Sequence, residues 1–122
     1  MEKRIYAVRG AVCVENTKES ILEKTCRLFK KIVEKNGLKS DDLISIQFSL
    51  TKDIDVMNPA TALRLGGTPI DISSVALFCT QEAYIHGGME KVIRVMITTY
   101  SDRTPVHVYL DGAERLRPDF SK

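Results

Sequence analysis

Residues 92–97 read VIRVMI, and no other stretch limits the fold as strongly. With the two-residue repeat of a strand, Val92, Arg94 and Met96 share one face, and Ile93, Val95 and Ile97 share the other. Both faces are apolar apart from one guanidinium, so the strand needs cover on both sides. The chain has 122 residues, one domain's worth, and we expect a single domain over residues 1–122. A chain this short builds a modest core, and oligomerisation is a natural way to bury more surface.

The neighbouring segments define the layers. RIYAVRGAVCV, residues 4–14, reads as a strand interrupted by Gly10. Asn16 with Glu19 three residues on resembles a capping box. Ile21, Leu22, Thr25, Leu28, Phe29, Ile32 and Val33 then follow the spacing of one helical face, with Lys24, Arg27, Lys30, Lys31 and Glu34 on the wet side. Asn36-Gly37 ends that helix in a left-handed cap. In SDDLISIQFSL, Ile44, Ile46, Phe48 and Leu50 alternate with Ser45, Gln47 and Ser49, giving a strand with one apolar and one polar face. Asn58 caps a short helix with Pro59 at its first position, Arg64 in its last turn, and Gly66-Gly67 as its stop. VALFC at 75–79 is a short strand, Gly87-Gly88 a turn, VIRVMITTY a strand, and VHVYL the last one. Pro118 ends regular structure in the tail DGAERLRPDFSK. The expected architecture is α+β: helices on one face of a mixed, mostly antiparallel sheet.

Charge and composition exclude several functions. A net charge of +2 is too small to imply nucleic acid, and the lysines lie mostly along one solvated helical face. No apolar run approaches the roughly 20 residues of a membrane span, and MEKRIY lacks an apolar signal core. Cys13, Cys26 and Cys79 are three scattered cysteines without a CxxC pair, which points to reduced thiols in the cytoplasm. His86 and His107 give no metal-ligand spacing. No glycine-rich loop leads into a helix with GK[ST], which disfavours a nucleotide phosphate. No Ser-His-Asp set is present.

What remains is charge in apolar company. Arg94 in VIRVMI, Arg9 in YAVRGAV and Glu82 in ALFCTQEAYI all sit among apolar neighbours. A buried charge is costly unless paired and hydrogen-bonded. Glu82 could simply pair with one arginine. Adding Arg64 on the short helix and Arg117 in the tail, the cations exceed that single carboxylate, and the surplus calls for an anionic ligand. The arginine fork suits carboxylates and phosphates. Cys79 beside Arg94 has no histidine base, and a small buried residue is the simpler reading. Tyr109 is either core or a phenolic donor. His107, alternating with Val106 and Val108, faces solvent. The inventory offers electrostatics and hydrogen bonds without a nucleophile or metal, which suits a reaction the substrate performs on itself.

The stretches VRGAVCVENT (8–17), ILEKT (21–25), PATALR (59–64), CTQE (79–82), GGMEKVIRVMI (87–97), HVYL (107–110) and LRPDFS (116–121) share their order and spacing with a known family. The sequence resembles the AroH-type chorismate mutases, small, monofunctional and trimeric. The resemblance implies conversion of chorismate, a small dicarboxylate, to prephenate in the shikimate pathway of aromatic amino-acid biosynthesis, without a cofactor. It implies that Arg94 donates to the ether oxygen and to a carboxylate, and that Glu82 accepts from the ring hydroxyl with Cys79 beside it. By the same likeness Arg9 and Tyr109 hold the side-chain carboxylate, Arg64 comes from the neighbouring subunit, and Leu116 and Arg117 belong to the tail near the site mouth. It further implies a homotrimer whose sheets pack as a pseudo-barrel with sites at the interfaces. Asn58 stands where the family usually has a phenylalanine that walls the substrate. The stretch between Arg64 and Cys79 is longer than in the family, contains Pro69 and lacks the usual tryptophan. RidA-like imine deaminases, or a non-catalytic trimer that binds a carboxylate metabolite, are the alternatives.

Overall fold

The computed structural model describes residues 2–120, with Phe120 described by its backbone alone. Met1, the first residue of MEKRIY, and Ser121, the last of the LRPDFS match, lie outside the described residues, as does Lys122. In chain order the elements are β1 (Arg4–Cys13), α1 (Lys18–Asn36), β2 (Leu43–Leu50), α2 (Pro59–Gly66), β3 (Ala76–Gln81), β4 (Val92–Ser101) and β5 (Val108–Leu110). The strands form one five-stranded sheet in the order β3-β2-β4-β1-β5. Central β4 runs antiparallel to both β1 and β2, and the outer strands β5 and β3 pair parallel to them. This is the expected α+β class with a mixed sheet.

Periodicity explains the core. Ile21, Leu28, Phe29, Ile32 and Val33 of α1 pack with Ala60, Ala62 and Leu63 of α2 against Val8, Val12, Ile46, Phe48, Ile93, Val95 and Ile97 of the sheet. Both helices therefore cover the same face. Gly37, at φ 59°, closes α1 as its sequence indicates. The start differs by one residue: Thr17 is the cap, accepting from the Ser20 N–H. Asn16 instead exchanges two hydrogen bonds with Asp55, at 2.9 and 3.1 Å, and so ties the start of α1 to the loop after β2. Ile44 is 40% exposed, because an irregularity between Leu43 and Ser45 takes it out of the inward alternation. Asn58 caps α2 as expected, accepting from the Ala60 N–H at 2.8 Å. No helix among the described residues is long and apolar enough to cross a membrane.

Three expectations need correction. Gly10 does not interrupt β1, which pairs with β4 from Arg4 to Cys13. Its role is close approach: a Cβ there would lie 2.8 Å from Ile32 Cδ1 and 2.9 Å from the Val108 carbonyl oxygen. Gly10→Ala therefore lowers stability by about 1–3 kcal/mol through overpacking, read as a lower denaturation midpoint. The tail is also more regular than Pro118 suggests, with 3-10 turns at Ala113–Leu116 and Pro118–Phe120. Finally, β4 is not covered on both sides within one chain. Ile93, Val95 and Ile97 are buried under the helices, whereas Met96 on the opposite face is 42% exposed. Only the Val92 end of that face is closed, by Ala11, Tyr109 and Ala113. Both helices go to one side, so nothing among the described residues covers the rest.

Candidate active site

The open face of the sheet gathers the charged residues. Arg94 on β4 and Tyr109 on β5 both pair across from Ala11 of β1. Directly opposed residues share a face, so the small Ala11 lies between two large polar side chains. Arg9 lies two residues earlier on β1 and projects on the same side. Together with Gln47, Ser49 and Phe78, these three line a cavity of about 570 Å³, within the usual size for a small-molecule site.

Arg94 is not buried in the single chain, as its sequence context suggests; its side chain is 40% exposed. Its Nε donates to Glu82 Oε1 at 3.0 Å, and the Ser49 hydroxyl lies 3.5 Å from the same oxygen. Glu82 follows the end of β3, where its N–H donates to the Leu50 carbonyl, so the carboxylate is held by backbone as well as by charge. Pairing through Nε leaves the two terminal nitrogens of Arg94 without a hydrogen-bond partner among the described residues. Arg94 and Glu82 also line a second cavity of about 340 Å³ with the 83–90 loop, so Arg94 borders both spaces. Arg9 has no ion pair among the described residues.

The remaining predicted residues divide. Leu116 is half-buried against the cluster of Ala11, Val92, Tyr109 and Ala113, which brings the tail to this face. Arg117 is not surplus charge: it makes a bidentate pair with Asp119, at 2.8 and 3.1 Å. Cys79 does not stand beside Glu82 on the open face. The alternation of β3 turns it the other way, against the core, where burial pushes its thiol pKa up. It lines a shallow groove of about 390 Å³ with Asn58 and Gln81. Arg64 is exposed in the last turn of α2 and lines neither cavity beside Arg94. One chain thus brings Arg9, Arg94 and Tyr109 together with Glu82, and leaves Arg64 and Cys79 elsewhere.

Sequence reasoning missed several lining residues. Gln47 and Ser49 read only as the polar face of a strand, and Phe78 only as part of a short one, yet all three line the cavity. Their shared side becomes visible only once β2 is known to pair with β4. His107 was expected to face solvent, yet its Nδ1 accepts from the Arg9 backbone N–H at 2.9 Å. Among the described residues, no three His, Cys, Asp or Glu side chains cluster as they would to hold a metal ion.

Known proteins resemble this chain in sequence and in fold. The family profile described as Chorismate mutase type I matches residues 5–120. The chain is 41% identical over 122 residues to a chorismate mutase of Bacillus subtilis, covering 96% of this chain and 93% of that protein. It is 37% identical to a chorismate mutase of Thermus thermophilus, covering 94% and 95%. A solved chorismate mutase structure from Clostridium thermocellum superposes with a TM-score of 0.82 at 44% identity, over 90% of this chain and 98% of that one. These likenesses do not favour an imine deaminase or a non-catalytic trimer. The chain belongs to the type I chorismate mutase family.

Proposed function

We propose that the open sheet face is the active site of a chorismate mutase, which rearranges chorismate to prephenate in aromatic amino-acid biosynthesis. One observation carries the assignment of roles. Arg94 is anchored through Nε to Glu82, its terminal nitrogens have no hydrogen-bond partner among the described residues, and it lines a ligand-sized cavity.

Chorismate has two carboxylates, a ring hydroxyl and an ether oxygen. In the rearrangement the ether C–O bond breaks as a C–C bond forms in the same molecule. No group leaves, and no proton or electron passes to the protein. Negative charge gathers on the ether oxygen as its bond breaks. Arg94 donates to that oxygen and to a carboxylate, with Glu82 fixing its plane and accepting from the ring hydroxyl. Arg9 and Tyr109 hold the side-chain carboxylate and favour the folded, near-attack conformer. Preorganised donors and conformational restriction are sufficient for such a reaction, and no cofactor or covalent intermediate takes part.

Arg64 and Cys79 enter the site of a neighbouring copy. This reading is supported by their position away from the Arg94 cavity and by the uncovered face of β4. The assembly is a homotrimer of single-domain chains spanning residues 1–122, with each site completed across an interface and Leu116 and Arg117 at its mouth. Three free thiols agree with a cytoplasmic setting.

Purified protein is expected to consume chorismate, release prephenate, and keep its rate after treatment with a chelator. Loss of activity on chelation, or deamination of an imino acid without chorismate turnover, contradicts the proposal.

A further inference from the structure

We infer that His107 is a positioning residue of this site: its neutral imidazole holds the Arg9 backbone N–H and thereby fixes where the Arg9 guanidinium meets a substrate carboxylate. The inference rests on the proposed role of Arg9. The Arg9 N–H lies 2.9 Å from His107 Nδ1. Nδ1 accepts only when it carries no proton, so the ring proton resides on Nε2. Parallel pairing of β1 with β5 begins one residue later, at Gly10 and Val108. The imidazole therefore takes the place of a strand carbonyl just where the ladder starts.

The local fold does not depend on that bond. Buried Asn36, at the end of α1, accepts from the Val106 N–H at 2.7 Å and donates to the Val106 carbonyl at 2.9 Å. A further bond to the Ile32 carbonyl, at 2.9 Å, fixes the amide itself. The chain entering β5 is thus held from the helix side, next door to His107. What the imidazole adds is a fixed root for Arg9, whose guanidinium has no ion-pair partner among the described residues.

The surroundings keep the ring neutral. It faces Arg9 from β1 and Arg117 from the tail, the latter paired with Asp119, with Tyr109 of β5 two residues further along the chain. A second ring proton would place a third cation there and abolish the bond to Arg9. Burial, and then the two guanidinium groups, hold the imidazole pKa below its ordinary 6.5.

The test compares His107→Ala, His107→Asn and Arg9→Ala in chorismate turnover, with ¹⁵N shifts of the wild-type imidazole. In His107→Ala the Arg9 guanidinium is still present to favour the folded conformer but grips the carboxylate less well, so KM rises about five- to tenfold with kcat nearly unchanged. The asparagine Oδ1 replaces Nδ1 as acceptor, and His107→Asn recovers most of that loss. The wild-type shifts show an unprotonated Nδ1 at neutral pH. A wild-type KM in His107→Ala, beside an inactive Arg9→Ala, overturns the role of His107 alone. Wild-type kcat/KM in Arg9→Ala overturns the site assignment beneath it. Should His107→Ala not fold, a protonated Nδ1 in the wild type, or no recovery in His107→Asn, overturns the inference equally.

Discussion

Arg9→Ala and Arg64→Ala chains, each nearly inactive alone, recover chorismate mutase activity when unfolded and refolded together. The expectation follows from the division of the site. Arg9 lies on the open sheet face with Arg94 and Tyr109, whereas Arg64 stands on α2 and lines neither cavity beside Arg94. In a head-to-tail trimer each site takes one half from each of two neighbours. In random mixed trimers about a quarter of the sites then join an intact Arg9 half to an intact Arg64 half. Activity of the refolded mixture therefore reaches about a quarter of wild type, far above either parent. If mixed trimers form, as shown by mass, and activity stays at the level of the parents, each site is built within one chain.

The sequence showed the layers more readily than it showed which side of the sheet would do chemistry. The face of α1 from Ile21 to Val33 repeats regularly enough to identify helix and core together, and Gly37 marks its end because few other residues adopt φ 59°. Periodicity also paired Arg94 with Met96 on one side of β4. It could not say that this side stays open, since cover depends on where the helices fall across the order β3-β2-β4-β1-β5. For the same reason Gln47 and Ser49 read simply as a polar strand face. Strand pairing through β4 turns that polar face into a cavity wall. The reading of Cys79 as a small buried residue agrees with its packing against the core, whereas the place beside Glu82 that the resemblance implies is not found within one chain, because the alternation of β3 turns Cys79 inward. His107 and Asn16 were missed for another reason. Their partners, Arg9 and Asp55, are far away in the chain, and a single polar side chain carries no trace of a distant backbone N–H. Asn58 was legible as a cap, and it accepts from the Ala60 N–H at the start of α2.

Arg94→Ala is expected to lower kcat by a factor on the order of 10²–10³, the usual loss for one preorganised donor to a developing oxyanion, roughly 3–4 kcal/mol of barrier. The ether oxygen gains charge only as its bond breaks, so a donor aimed there favours the transition state over the ground state. Arg94→Lys falls nearly as far: it keeps the charge but loses the planar fork, in which Nε serves Glu82 while the terminal nitrogens serve the substrate. A purely structural Arg94 gives a different pattern. Its pair with Glu82 is 40% and 24% exposed in the single chain, and exposed pairs contribute about 0–1 kcal/mol to stability. Its loss would shift unfolding slightly and leave turnover per folded molecule alone. The deciding measurement is kcat and thermal unfolding on one preparation of Arg94→Ala. The account predicts a protein that unfolds close to wild type and has lost nearly all turnover of chorismate; a folded Arg94→Ala protein with near-normal kcat would contradict it.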